Sequence, residues 1–173
     1  LYDSVLVPVI SSAETDARDG RLDPEQLADV RESLRVILDD LAMRPAASDQ
    51  IKEEQIEIAH RPPTAPPATC RVYCVPARAE RDEFAGAMLT QLLREQSFDV
   101  HNACATVPAA ELLEKLEADR SDVACISVVA PSTVIHARFL CTKLRARFPA
   151  LKIIVGLWGA TERVAEATKR LHD

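Results

Sequence analysis

Glycine is scarce in this chain: 4 in 173 residues, at positions 20, 86, 156 and 159. None lies in the loop Pro76-Ala77-Arg78-Ala79-Glu80-Arg81, which follows the apolar run 72–75. A Gly-x-Gly-x-x-Gly dinucleotide loop and a Gly-Lys-Ser/Thr P-loop both need glycine for close backbone approach to phosphate. Both are excluded, and Glu80, Asp82 and Glu83 would repel a phosphate at this place. Aromatic residues make up only 4% of a chain that is 47% hydrophobic, so aliphatic residues and alanine must build the core. There is no clustered basic surface to track a nucleic-acid backbone, and the net charge is −6.

Five cysteines (Cys70, Cys74, Cys104, Cys125, Cys141) form no Cys-x-x-Cys pair and are odd in number. Most fall in or beside expected strands, where free cysteine acts as a small hydrophobe in a reducing compartment. The four histidines are dispersed without metal-ligand spacing, so no metal site is expected. No run approaches the roughly 18 apolar residues of a membrane span, and no signal peptide is visible. The chain opens instead at Leu1 with the apolar hexad Val5-Leu6-Val7-Pro8-Val9-Ile10. It reads as a piece of something longer.

The length accommodates one ordinary domain plus an extra segment. Asp19-Gly20 is a break, and Asp23-Pro24-Glu25-Gln26 is a helix start with Asp as N-cap, Pro at the first position and Gln26 closing a capping box. Leu27, Val30, Leu34, Ile37 and Leu41 then recur at helical spacing over about 24–42. This stripe suits packing against a neighbouring element. It spans only about two heptads, short of the three or four that support a coiled coil; a dimer through it is the alternative. Residues 44–69 read as a linker, with a short polar helix at 48–60 and then Pro62, Pro63, Pro66 and Pro67.

Beyond residue 70, strands and helices alternate. Strands are expected at 71–75, 99–103, 123–129 and 152–155. Helices are expected at 81–96, after Pro108, from Ser132 and from Thr161. This is an α/β pattern with a parallel sheet, and its short crossovers favour the flavodoxin-like order 2-1-3-4. A fifth strand, usual in that fold, is expected after residue 173.

In such folds the ligand lies over the carboxyl ends of the strands. A phosphoacceptor receiver needs an aspartate at the end of strand three, which reads Val128-Val129-Ala130-Pro131. No Gly-x-Ser-x-Gly elbow supports a serine nucleophile. Ser127 lies within strand three, Ser132 reads as a helix N-cap, and His101 and His136 fall on a strand and a helix. No catalysis is expected. The loop Gly156-Leu157-Trp158-Gly159 carries the only tryptophan, either as a lid or N-terminal contact, or as a pocket wall or partner anchor.

The segment 72–161 resembles cobalamin-binding domains, through Val107-Pro108, Ser127-Val128-Val129 and Pro131-Ser132. Their Asp-x-His-x-x-Gly motif falls on Glu80, Asp82 and Ala85, so the cobalt-ligating histidine is replaced by Asp82. A carboxylate cannot stand in for the softer imidazole nitrogen, and Trp158 would intrude on the nucleotide tail. The resemblance implies the fold and disfavours cobalamin; no cofactor is expected. A second resemblance covers more of the chain. Leu1-Tyr2-Asp3-Ser4-Val5-Leu6-Val7-Pro8, Ala13-Glu14-x-Asp16, Gly20-x-Leu22, Val75-Pro76-Ala77-Arg78 and Asp82-Glu83 are similar to the cytosolic tail of autoinducer-2 exporter family permeases. That resemblance implies a membrane domain upstream in the same polypeptide and a place on the cytoplasmic side of a bacterial inner membrane.

The expectation is therefore a helical connector at 1–43, a linker at 44–69 and a flavodoxin-like α/β domain at 70–173. It would serve as a non-catalytic regulatory domain binding a ligand or partner over the strand ends. Arg78, Glu80, Asp82, Ser127, Pro131, Ser132, Gly156, Trp158 and Gly159 are the candidate site. A cobalamin- or nucleotide-binding domain without the histidine ligand, or a dimerisation module, are the alternatives.

Overall fold

The computed structural model describes residues 1–43, 70–130 and 134–159. The linker with its helix at 48–60, Pro131, Ser132 and the helix expected from Thr161 lie outside the described residues. Four strands form one parallel sheet in the order β2-β1-β3-β4: β1 Arg71–Pro76, β2 Asp99–Asn102, β3 Val123–Val129 and β4 Lys152–Trp158. This is the flavodoxin-like α/β architecture that the alternation of strands and helices predicts. The central strands β1 and β3 are buried along nearly their whole length. Their unbroken apolar runs are what two covered faces demand.

Side chains alternate between the two faces. Tyr73, Val75, Ala124, Ile126 and Val128 face α4 (Ala109–Ala118) and α5 (Ile135–Arg147), packing with Leu112, Leu116, Leu140 and Leu144. Val72, Cys74, Val100 and Cys125 face α3 (Glu80–Glu95), against Leu89 and Leu93. Burial keeps the Cys74 thiol above its ordinary range and pushes Cys125 up to about 11. Both thiols stay protonated and inert near neutrality, in keeping with a role as core hydrophobes.

The N-terminal residues do not stand apart from this sheet. A π-helical turn Tyr2–Leu6 leads into α1 (Val7–Arg18), and α2 (Pro24–Met43) returns beside it. Asp23 and Gln26 exchange the reciprocal capping bonds expected of them, with Gln26 N donating to Asp23 Oδ1 at 2.8 Å and Asp23 N to Gln26 Oε1 at 3.0 Å. Leu6, Val7, Ile10, Leu34 and Leu38 then share one core with Phe84, Ala85 and Met88 of α3 and Val129 of β3. Gln91 of α3 fastens this packing, accepting from the Tyr2 hydroxyl and donating to the Leu38 carbonyl at 2.8 Å.

Two details differ from the sequence expectation. The buried stripe of α2 runs through Leu38, one turn after Leu34, and Ile37 is 42% exposed. Leu34 and Leu38 enter the shared core, Arg31 and Arg35 pair with Glu14 and Glu80, and Ile37 falls on the outer edge. Strand β4 continues past Val155 through Gly156, Leu157 and Trp158, which pair with Ser127, Val128 and Val129. Leu157 and Trp158 each find a core on opposite faces, so nothing ends the strand before Gly159. Helix α5 is described from Ile135, with Val134 before it at φ −71° and ψ −1°; the expected start at Ser132 lies outside the described residues.

Candidate functional site

The loop from β1 to α3 is the centre of the carboxyl edge, and its residues divide between two jobs. Asp82 is fully buried. One carboxylate oxygen accepts from the backbone N–H of Arg78 and of Ala79, each at 3.0 Å, and the other accepts from Val129 N at 2.8 Å. As the third residue of α3 it reaches back over the helix N-terminus, where a negative charge is favoured. It also stitches the loop to the end of β3. Asp82, named above among the candidate site residues, is thus a structural clamp with no exposed surface.

Glu80 and Arg81 face the N-terminal helices. Glu80 pairs with Arg35 and, at 3.3 Å, with Arg31; Arg35 also reaches Glu32 at 2.7 Å. Arg81 donates to Glu14 Oε2 at 2.7 Å, and Arg31 donates twice to Glu14 Oε1, at 2.6 and 3.0 Å. Glu14 is only 6% exposed, so its charge is stabilised by two guanidinium groups from two different helices. A buried carboxylate held this way is costly to leave unpaired. The sequence shows no signal for this network, because its members lie up to 67 residues apart.

On the α3 face of the sheet, Trp158 folds back over Gly156. A Cβ at position 156 would lie 2.9 Å from the indole, so only glycine fits beneath it. Gly159 has φ +72°, a left-handed value that favours glycine, and it faces Val7 and Ser11 of α1. The glycines therefore accommodate a side chain and a helix, and Trp158 makes the N-terminal contact among the alternatives left open above. Ser127, across from Gly156, is buried; neither its Oγ nor Trp158 Nε1 has a hydrogen-bond partner among the described residues. These positions do not fit histidine-on cobalamin. Asp82 is already engaged by three N–H groups and is a hard oxygen donor, and the indole covers Gly156.

On the other face, a cavity of about 220 Å³ opens between the ends of β1 and β2 and the start of α5. Val75, Ala77, Ala103, Leu112 and Leu140 are among its lining residues, and polar atoms share its surface. Arg78 and His136 stand among its lining residues, with Arg78 Nη1 2.6 Å from His136 Nε2. Arginine can only donate, so Nε2 is the acceptor of this bond. His101 is engaged elsewhere, stacked on Tyr73 with ring centroids 6.0 Å apart. A larger, open groove of about 710 Å³ lies at the opposite end of the sheet, around Glu117, Asp122, Arg147 and Phe148. Arg147 pairs with Glu117 there at 2.7 Å and Asp122 accepts from Arg71 N at 2.9 Å, while Arg120 and Lys152 also line it. The smaller cavity, at the edge where this fold assembles its loops, is the better candidate.

Of the expected site residues, the structure thus leaves Arg78 at a cavity. It commits Glu80 and Asp82 to internal pairing and puts Ser127, Gly156, Trp158 and Gly159 on the helix-covered side. Among the described residues no group of His, Cys, Asp and Glu could hold a metal ion, and no helix is long and apolar enough to cross a membrane. The fold and edge geometry define an α/β domain of flavodoxin-like type. Comparison with known proteins takes this no further: no family model and no curated protein matches the chain.

Replacing Asp82 tests the clamp. Asp82→Ala strands one buried and two part-buried N–H groups and should cost about 2–3 kcal/mol in a urea unfolding titration. Asp82→Asn keeps an acceptor for Arg78 and Ala79 and should recover part of that loss. An alanine variant as stable as the parent would remove the clamp from the account.

Proposed function

We propose that this chain is a non-catalytic regulatory domain that binds a small ligand over the carboxyl ends of its strands and transmits occupancy to the N-terminal helices. The observation that carries the reading is the double-sided β1–α3 loop. Arg78 faces a cavity on one side, and two residues on, Glu80 is held by Arg31 and Arg35 of α2 on the other. Asp82 fixes the segment between them, so a pull on Arg78 is delivered to α2 instead of being absorbed by a slack loop. Coupling of this kind needs a physically continuous element that both sites touch, and this loop is one.

The permease assignment rests on the sequence resemblance. In that setting the domain sits on the cytoplasmic side of a bacterial inner membrane, and α1 and α2 connect it to a membrane domain of the same polypeptide. No catalytic role is assigned, since no nucleophile with a base and a third orienting group is assembled at the edge among the described residues. No cofactor or nucleic acid is assigned either. A homodimer through the α2 stripe is the weaker alternative, because Leu34 and Leu38 are buried within the chain itself.

Two measurements test the reading. A mixed set of small acids, amides and amines, screened by amide chemical shifts, should include members that move Ala77, Arg78 and Ala105 and slow hydrogen exchange in α2. Glu80→Gln should weaken the α2 response while binding persists. Shifts confined to the groove around Phe148 would contradict the placement. For the permease setting, the native protein should fractionate with inner membranes; recovery wholly in the soluble fraction would contradict it.

A further inference from the structure

Arg78 is an exposed guanidinium at a small cavity, and its partner is unusual for this protein. Arg31, Arg35, Arg81 and Arg147 each reach a carboxylate, and Arg94 and Arg145 donate to backbone carbonyls. Arg78 instead donates to the His136 ring, and no carboxylate pairs with it among the described residues. An imidazole nitrogen that accepts this bond orients the guanidinium without neutralising it. The remaining guanidinium N–H groups are donors with no anion against them among the described residues. Of the nearby acids, Asp82 is consumed by backbone N–H groups, Glu80 by arginines, and Glu83 by Ala105 N at 2.8 Å. Lys143, over the Phe139 ring at 5.5 Å, adds positive charge beside a residue that lines the cavity.

Beside Arg78 and His136 the lining carries the apolar side chains of Val75, Ala77, Leu112 and Leu140. The volume, about 220 Å³, is below the roughly 300–1,000 Å³ typical of sites for drug-sized ligands. We infer that the cavity is a site for a small organic anion: a carboxylate on a short aliphatic body, its charged end on Arg78 and His136 and its chain against Leu112 and Leu140. This assignment rests on the ligand-sensing reading above and gives it a chemical class. The site works by charge-assisted hydrogen bonding at one end and burial of methylene groups at the other. Discrimination follows from the same division. A neutral or cationic isostere leaves the guanidinium without a counter-charge, and a bare anion leaves the apolar wall unused.

The test uses the full chain and a homologous series, acetate to pentanoate, with butanamide, butylamine and inorganic phosphate as comparators. Binding is followed by amide shifts at Ala77, Arg78 and Ala105 and by the His136 ring resonances. The expected result is carboxylate binding that tightens about fourfold per added methylene until the cavity is full. Arg78→Gln, an exposed substitution that leaves the backbone bond to Asp82 intact, should weaken binding about tenfold or more. Because the chain-length series is measured on the unaltered protein, it remains decisive if the variant folds poorly. Amide or amine binding as tight as the carboxylate would overturn the charge assignment while the ligand-sensing reading stands. Phosphate binding as well as pentanoate would overturn the aliphatic assignment. If no probe moves these residues, the inference and the reading beneath it both fall.

Discussion

Three backbone N–H groups converge on one buried carboxylate, and the carboxyl edge of this sheet depends on that arrangement. Arg78 and Ala79 belong to the loop that leaves β1, Val129 is the last residue of β3, and Asp82 holds all three. The constraint joins the two central strands at the place where a doubly wound fold opens a crevice. It fixes where Arg78 projects and where α3 begins. Every other interaction at this edge is built outward from that fixed loop.

The N-terminal helices are the first of these. Charged residues that would ordinarily make a solvated helix start are turned inward toward α1 and α2. Glu14, Arg31, Arg35, Glu80 and Arg81 make a network that is worth more in specificity than in raw stability, since each pair pays a desolvation cost. The apolar contact of Leu6, Ile10, Leu34 and Leu38 with Phe84 and Met88 supplies the adhesive term. The rotation of α2 that allows both the network and this core buries Leu38 and leaves Ile37 exposed. Trp158 closes the same interface from the sheet side. Its indole needs Gly156 beneath it, so a pair of positions that resembled a ligand loop serves to seat a helix pair.

The fold was legible because its signals are local. Period-two and period-3.6 patterns, an apolar run for a doubly covered strand, and the Asp23–Gln26 capping box are all readable within short windows. Strand β3 and the sheet order follow from them directly. The candidate site was only partly legible. The carboxylates of Glu80 and Asp82 could be seen, but whether they face solvent or the protein depends on partners far away in sequence. Their spacing at the start of a helix was the available clue to Asp82, since an acidic third residue often caps. No local pattern could have joined Arg78 to His136, 58 residues on, or shown that Trp158 lies over a glycine two positions before it. The loop between β1 and α3 carries neither the glycines that a phosphate site needs nor a histidine. It presents one oriented cation beside a small cavity.

The most direct test of this account is native-state hydrogen exchange at three amides. If Asp82 clamps the edge, Arg78, Ala79 and Val129 should exchange slowly and with one common opening free energy, close to that of global unfolding, although Arg78 lies in an exposed loop. Fast exchange of Arg78 and Ala79, at the rate of an unprotected loop while Val129 stays protected, would contradict it.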